Sequence, residues 1–321
     1  MRELYPAPPW RFGDPASRLA LYRWWVRDPL EGLRFMLPDL ALRALPTDLA
    51  SDIGARLARG QAAKRPGPSA RVRALMRRLR PEATAAEIEA MVDAHWTQLG
   101  RTLGEFPRLH RLWGEGRIEV TGAQHPQAAL AAGRPLLVAG LHLGNWEAVH
   151  AALTGLGIRF HCIYQRLNNR FRMRLAHAAR NRTRTDGGPG VPLAPTRGAA
   201  LFAQRLLDRR ESALLLYVDE YWEGRVHAPA FGRGLRIEGN IARAVRLASA
   251  TGAALVPAYA ERIGDAARFR VTFLPPVDIG PPGRGRAGIR DDIAALDAAI
   301  EPAVRAHPEQ WLMAHVFDPE T

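Results

Sequence analysis

From residue 134 to the C-terminus the chain alternates between two patterns. Short apolar runs occur at 135–141, 157–164, 213–218, 254–260 and 268–275, and stretches with helical spacing of apolar positions occur at 145–155, 170–182, 197–209, 238–251 and 289–305. Runs of four to eight apolar residues suit strands buried on both faces, and strands alternating with helices predict an α/β fold with a mostly parallel central sheet flanked by helices. Thr251-Gly252 reads as a helix stop before the run at 254. Upstream the pattern changes. Residues 115–121 read as a short strand, and Thr84-Ala-Ala-Glu87 has the spacing of a capping box. The stripe that follows (Ile88, Met91, Val92, Trp96, Leu99, Leu103, Phe106) predicts one long helix facing the core. Residues 60–81 read as a basic loop leading into a short helix, and residues 19–46 as one or two amphipathic helices interrupted by Pro29 and Pro38. The expected organisation is an N-terminal helical region over 1–115, beginning with an irregular Pro- and Gly-rich arm at 1–18, and an α/β domain over 116–321.

Charge narrows the set of partners. Lys+Arg is 45 against Asp+Glu 32, a formal net charge of +13, and Lys64 is the only lysine. Such an excess points to anionic partners: phospholipid headgroups, nucleic acid, acidic carrier proteins or phosphorylated substrates. Trp24 and Trp25 among arginines fit a segment lying in the headgroup region, although a helical hairpin packed on the protein's own core fits the same pattern. Cys162 is the single cysteine, which excludes intrachain disulfides and multi-cysteine zinc sites. With no apolar run of membrane-spanning length and no signal-peptide layout, the expectation is a cytoplasmic protein that works at a membrane surface.

The candidate chemistry lies at the first of these strand–helix junctions. Leu136 to Gly140 is the buried run; His142 follows at its C-terminal lip, then Leu143-Gly144, then Asn145 as a helix N-cap, with Glu147 in the first helical turn. Ligand sites of open α/β sheets lie at such strand ends. A neutral imidazole can take a proton from a hydroxyl, and a carboxylate on its other nitrogen fixes the tautomer and stabilises the imidazolium. Four residues of chain are enough to bring Glu147 back beside His142. A hydrogen-bonded strand-end histidine and an acid favoured by the helix dipole satisfy the same spacing. Two further stretches begin at strand ends. One is Tyr164-Gln-Arg166-Leu-Asn-Asn169-Arg170, whose arginines are suited to clamping phosphates. The other is the loop from Val218-Asp219 through Gly224 to Phe231-Gly232, rich in glycine and aromatics and a candidate substrate wall.

Other chemistries are excluded or weak. Gly283 to Gly288 matches G-x-G-x-x-G but follows Pro281-Pro282 late in the chain, with no βαβ unit after it, and reads as a linker. Lys64 lies in no phosphate-binding loop, no serine lies in G-x-S-x-G, and no H-E-x-x-H occurs. His161 and Cys162 are adjacent on a strand, so they point to opposite faces and are not a metal pair. No metal and no cofactor is expected. A basic nucleic-acid or membrane binder without catalysis is the rival class, but the chain lacks aromatic-interleaved basic strands and zinc modules.

His142-Leu-Gly-Asn-Trp-Glu147 resembles the His-x-x-x-x-(Asp/Glu) signature of glycerolipid acyltransferases. In order along the chain follow Tyr164-Gln-Arg-Leu-Asn-Asn169, Arg180-Asn-Arg182, the Asp219 loop ending in Phe231-Gly232, Val256-Pro257 and His307-Pro-Glu-Gln-Trp311. Together they resemble the late acyltransferases of lipid A biosynthesis, over about residues 95 to 315. The resemblance implies a glycerolipid acyltransferase-like fold and transfer of a fatty acyl chain from acyl carrier protein, or from acyl-CoA, to a hydroxyl of a lipid acceptor. It implies work at the cytoplasmic face of the inner membrane, on an anionic surface and without nucleic acid. It also implies His142 as general base with Glu147 as its orienting partner, Arg180 and Arg182 as an Arg-x-Arg for the phosphorylated acceptor or for structural support, and Asp219 as the family's acidic residue in the strand-end loop. With these three, Asn145, Arg166, Asn169, Gly224, Phe231 and Gly232 are the expected substrate-binding residues. This chain departs from the family at Asp219-Glu220-Tyr221, where Asp-Gln-Asp is common, and near Met313 to Asp318, which leaves a simpler lipid or a hydroxyacyl product open as acceptor.

Overall fold

A computed structural model describes residues 5–163, 167–183, 197–210 and 212–319. Its centre is a six-stranded sheet built from β1 (Ile118–Thr121), β2 (Leu136–Gly140), β3 (Phe160–Ile163), β4 (Ala213–Tyr217), β7 (Ala254–Arg262) and β8 (Phe269–Phe273), in the order β1-β8-β7-β2-β4-β3. All neighbours run parallel except β7 and β8, which form an antiparallel pair. A small hairpin, β5 (Tyr221–Trp222) and β6 (Arg225–Val226), stands outside the sheet. The α/β reading therefore holds, with one antiparallel step that the apolar runs did not signal.

The sheet is covered on both faces. Every residue of β2 and β4 is buried. On β2, Leu137 and Ala139 join one apolar cluster and Leu136 and Val138 the other, as the two-residue period of a strand requires. The first cluster is filled by α4 (Pro66–Leu79), α5 (Ala85–Glu105), α10 (Arg197–Arg209), α11 (Gly239–Thr251) and α12 (Gly285–Ala306). The second is filled by α6 (Leu109–Leu112), α7 (Gln124–Ala131), α8 (Glu147–Gly155) and α9 (Arg170–Thr183). Cys162 belongs to the second cluster, and His161 turns the other way to meet the Ser212 hydroxyl at 3.0 Å.

The helix after Pro81 starts where its capping box predicts: Glu87 Oε2 accepts from the Thr84 N–H at 2.7 Å and Thr84 Oγ1 from the Glu87 N–H at 3.3 Å. Ile88, Val92 and Trp96 are buried, whereas Leu103, near its end, faces outward. α5 runs close against α3 (Thr47–Ala62), where a Cβ on Gly54 would stand 2.2 Å from the Gly100 carbonyl oxygen. The basic stretch at 60–81 is more ordered than its charge suggested. Val72, Leu75, Met76 and Leu79 form a buried stripe on α4, and the arginines occupy its other side.

Near the N-terminus, α1 (Pro15–Tyr22), one π-helical turn at Arg23–Arg27 and α2 (Asp28–Ala44) follow one another, so helix begins inside the stretch expected to be irregular. Neither proline breaks α2: Pro29 sits in its first turn and Pro38 lies within it. α2 docks on α9 at Gly32, where a Cβ would meet the Phe171 ring at 2.6 Å, while Trp25, Leu30, Leu33, Leu37 and Leu40 remain exposed. No helix among the described residues is long and apolar enough to cross a membrane.

Candidate active site

Strand adjacency builds the site. β2 and β4 are neighbours, with Gly140 opposite Tyr217. Two residues further along each strand stand His142 and Asp219, so the pair emerges side by side at the C-terminal edge of the sheet. Asp219 is fully buried and uses both oxygens: Oδ1 lies 2.8 Å from His142 Nδ1, and Oδ2 accepts the His142 backbone N–H at 2.9 Å and the Trp311 indole N–H at 2.8 Å. With the carboxylate on Nδ1, that nitrogen carries the proton and Nε2 presents its lone pair. No described residue hydrogen-bonds Nε2, and the His142 side chain keeps 18 % of its surface exposed.

The imidazole is held from the sides as well. Tyr217 stacks on it at 4.3 Å between ring centroids, and Trp146 meets it edge-on at 5.5 Å. The Tyr217 hydroxyl donates to the Trp146 carbonyl at 2.8 Å, tying the two walls together. Gly140 makes the stack possible, since a Cβ there would lie 2.9 Å from the Tyr217 ring. Trp311 is brought in by a short bridge to Leu143, and Phe231 and Phe317 pack against its ring.

The structure corrects the expected pairing. Glu147 does not orient His142. It is buried and turned toward α9, where Arg180 Nε donates to both of its oxygens at 3.1 Å and Nη2 donates at 2.5 Å. His150 Nδ1 approaches the same carboxylate at 3.3 Å and the Trp146 indole N–H donates to it at 3.2 Å. Burial alone would raise the Glu147 pKa; Arg180 and His150 outweigh it and hold the group at about 2. Burial by itself would lower the Arg180 pKa, and the carboxylate instead raises it. The spacing misled because the residues after His142 turn Glu147 to the side of the sheet that α9 covers.

The other expected residues separate into distinct places. Asn145 is buried beneath the turn; its amide donates to Glu105 at 2.9 Å and its oxygen accepts the Glu147 N–H at 3.2 Å, so it caps α8 from one residue before the formal cap. Asn169 caps α9, accepting from the Phe171 N–H at 2.9 Å, and donates to the Asp28 carbonyl at 3.0 Å, so it fastens α9 to α2 rather than facing His142. Arg182 is exposed, with its charge near Asp39 and Arg43 of α2. Arg166 lies outside the described residues. Gly224 and Gly232 are exposed turn residues with φ of +80° and +83°. Phe231 is buried with φ +50° and acts on the site through Trp311. Sequence reasoning assigned no role to Tyr217 or to the Trp311 indole. The signals were there: an aromatic two residues before Asp219, and a glycine two residues before His142.

No described cluster of His, Cys, Asp and Glu could hold a metal ion. What the assembled groups can do is remove a proton: an oriented imidazole with one nitrogen on a buried carboxylate and the other open. Comparison with known proteins supplies the class, and the chain is an acyltransferase. Residues 36–316, most of its length, match the bacterial lipid A biosynthesis acyltransferases, and it belongs to that family. No curated protein matches this chain.

Proposed function

We propose that His142 is the general base and Asp219 the carboxylate that orients it, in transfer of a fatty acyl group from a thioester to a hydroxyl of a membrane lipid acceptor of the lipid A precursor type. His142 Nε2 takes the hydroxyl proton while the oxygen attacks the thioester carbonyl. The tetrahedral intermediate collapses with loss of the C–S bond, and the imidazolium returns the proton to the departing thiolate. Asp219 stabilises the transient imidazolium. Buried Glu147 and partly exposed Arg180 form a strut that fixes the start of α8 behind Trp146. The observation that carries this reading is the 2.8 Å contact of Nδ1 with a fully buried carboxylate while Nε2 is unbonded among the described residues.

Acyl carrier protein is the proposed donor, in keeping with a net charge of +13 facing an acidic carrier; acyl-CoA is the alternative. The exposed apolar residues of the π-helical turn and α2, flanked by Arg23, Arg27 and Arg34, support docking on the anionic cytoplasmic face of the inner membrane. The direct test incubates the protein with each acyl thioester and a lipid acceptor and follows the lipids by mass. His142→Ala should lower transfer by about 10²–10⁴-fold with the fold intact; turnover near that of the parent protein would reject the assignment.

A further inference from the structure

A cavity lies beyond Asp219, between the β5–β6 hairpin and the start of α11. It has a volume of about 220 Å³ and is lined by Glu223, Gly224, Arg225, His227, Arg236 and Glu238. Two of these side chains are buried and carry polar atoms without a hydrogen-bond partner. Arg225 is 9 % exposed; its Nε has no hydrogen bond, its Nη2 makes one long contact of 3.4 Å to the Gly234 carbonyl, and no ion pair reaches it among the described residues. His227 is 7 % exposed; neither ring nitrogen makes a hydrogen bond of normal geometry, and the Trp222 backbone is the polar group that lies near it. Buried polar groups in folded proteins are nearly always satisfied, and an unpaired buried cation is among the costlier exceptions. Gly239 shows that the ring is held there by design of the backbone: a Cβ on it would meet the His227 ring at 2.7 Å. The imidazole therefore rests on the first turn of α11, an end that favours negative charge and where the Asn240 N–H already donates to Glu220 Oε1 at 2.6 Å.

We propose that this cavity binds a phosphate monoester, with Arg225 and His227 at its base and Arg236 at its mouth. The chemistry selects the ligand. A guanidinium at the base excludes a cation and matches two phosphoryl oxygens. Burial first, and the Arg225 charge second, lower the His227 pKa, so the ring in the empty cavity is neutral and offers one donor and one acceptor. A carboxylate brings no proton for the acceptor nitrogen. A phosphate monoester, with its second pKa near neutrality (roughly 6), supplies both an acceptor oxygen and a P–OH. Glu223 and Glu238 are exposed at the rim. They repel extended polyanions and leave room for a single phosphoryl group. The site uses neither His142 nor Asp219, so it stands independently of the proposed acyl transfer.

The test is isothermal titration of the full chain with inorganic phosphate, with chloride keeping ionic strength constant. Saturable single-site binding is expected, weakened about 10- to 100-fold in Arg225→Gln through loss of a charge-assisted hydrogen bond. His227→Gln should also weaken it, and Arg236→Gln, at an exposed position, by about threefold. Arg290→Gln, remote from the cavity, should bind as the parent protein does. Circular dichroism checks each fold; should Arg225→Gln not fold, Arg236→Gln decides. Two further arms separate the sources of the ester. Vesicles of phosphatidic acid in phosphatidylcholine stand for a lipid headgroup, and coenzyme A against its 3′-dephospho form stands for a donor carrier. Competition with phosphate by one of them identifies the ester. Absence of saturable phosphate binding, equal binding by parent and variants, or competition by neither ester overturns the proposal.

Discussion

Replacing Asp219 with asparagine tests the site at its centre. Asp219 accepts three N–H groups, two on Oδ2 and one on Oδ1. Asparagine has one oxygen and one amide nitrogen to put in their places. With the amide toward Oδ2, two buried donors, the His142 backbone N–H and the Trp311 indole, would face another donor, at about 1–3 kcal/mol for each unsatisfied group. The opposite orientation keeps both of those bonds and aims N–H at His142 Nδ1 instead. That orientation wins, and it forces Nδ1 to be the acceptor. The imidazole proton then moves to Nε2, and the lone pair needed to take a hydroxyl proton is gone.

The expected loss is the whole of the base catalysis, about 10²–10⁴-fold in kcat, or about 3–5 kcal/mol in barrier. The equivalent change in a serine protease triad costs about 10⁴-fold for the same tautomeric reason. Two measurements check it: acceptor-dependent release of thiol from an acyl thioester, and ¹⁵N chemical shifts of labelled histidine, which report the tautomer without substrate. Glu147→Gln is the contrast. It leaves the Asp219 bond untouched but removes the buried negative charge that faces Arg180 and His150, which should cost about 3–5 kcal/mol of stability and less than about tenfold in turnover of the folded protein. Should Asp219→Asn turn over within tenfold of the parent protein with its proton on Nε2, the assignment fails. A collapse of turnover in Glu147→Gln at unchanged stability would return the orienting role to Glu147.

Trp311→Phe removes one donor from the buried carboxylate together with part of a fully buried ring, and should lower unfolding free energy by at least about 1.5–3 kcal/mol in urea titrations; unchanged stability would show the indole N–H to be dispensable. Asp297, buried on α12 and accepting the Ala230 N–H at 3.0 Å, has its pKa pushed up by burial to about 7. Between its ordinary value of 3.8 and about 7 the unfolded chain has lost this proton and the folded chain keeps it, so stability falls as pH rises through that window. Asp297→Asn, which still accepts from Ala230, should gain about 2–4 kcal/mol on the parent protein by pH 8, and a pH-independent difference would refute this. His95 has the opposite sign: burial lowers its pKa from 6.5 to about 3, so its contribution is complete above 6.5 and is lost as pH falls toward 3, which chemical denaturation at pH 4 and 7 would measure. Leu33→Glu with Leu37→Glu, both on the exposed side of α2, should abolish co-sedimentation with anionic vesicles without changing thermal unfolding; retained binding would remove α2 from the membrane contact.

How far the sequence reached depended on the range of the interaction. The alternation of apolar runs and helical stripes gave the sheet and its flanking helices, because burial on both faces leaves a periodic trace in each segment. The capping box at Thr84 and the glycine stop at Gly252 were legible for the same reason, since each is decided within a few residues. The order β1-β8-β7-β2-β4-β3 left no such trace. Without it, nothing on the chain shows that the residue following β4 by two positions meets the residue following β2 by two. His142 and Asp219 are 77 positions apart, and their contact is a property of strand order alone. The 60–81 segment misled differently: its arginines masked a buried stripe of four residues on the opposite side of the helix.

The two carboxylates near His142 also differ in what can be changed around them. Glu147 is placed by the local turn Leu143-Gly144-Asn145 and then captured by Arg180, so a shift of α8 could be followed by α9. Asp219 has no such freedom. Along β4 and its continuation, Tyr217 and Asp219 share one side of the strand and Val218 takes the other, where it joins the opposite apolar cluster. The ring that stacks on His142 and the carboxylate that orients it are thus fixed by one register. A slip of a single residue would exchange sides for the whole strand, placing Val218 against the imidazole and both functional groups in the apolar layer under α11. The energetic defence of that register is the set of fully buried residues of β2 and β4, paired Leu137 to Leu214 and Val138 to Leu215, which the slip would also misplace. Core packing and the His142–Asp219 contact are consequently one constraint at this edge of the sheet, with Asp219 on the continuation of β4 and the Glu147–Arg180 ion pair between the helices.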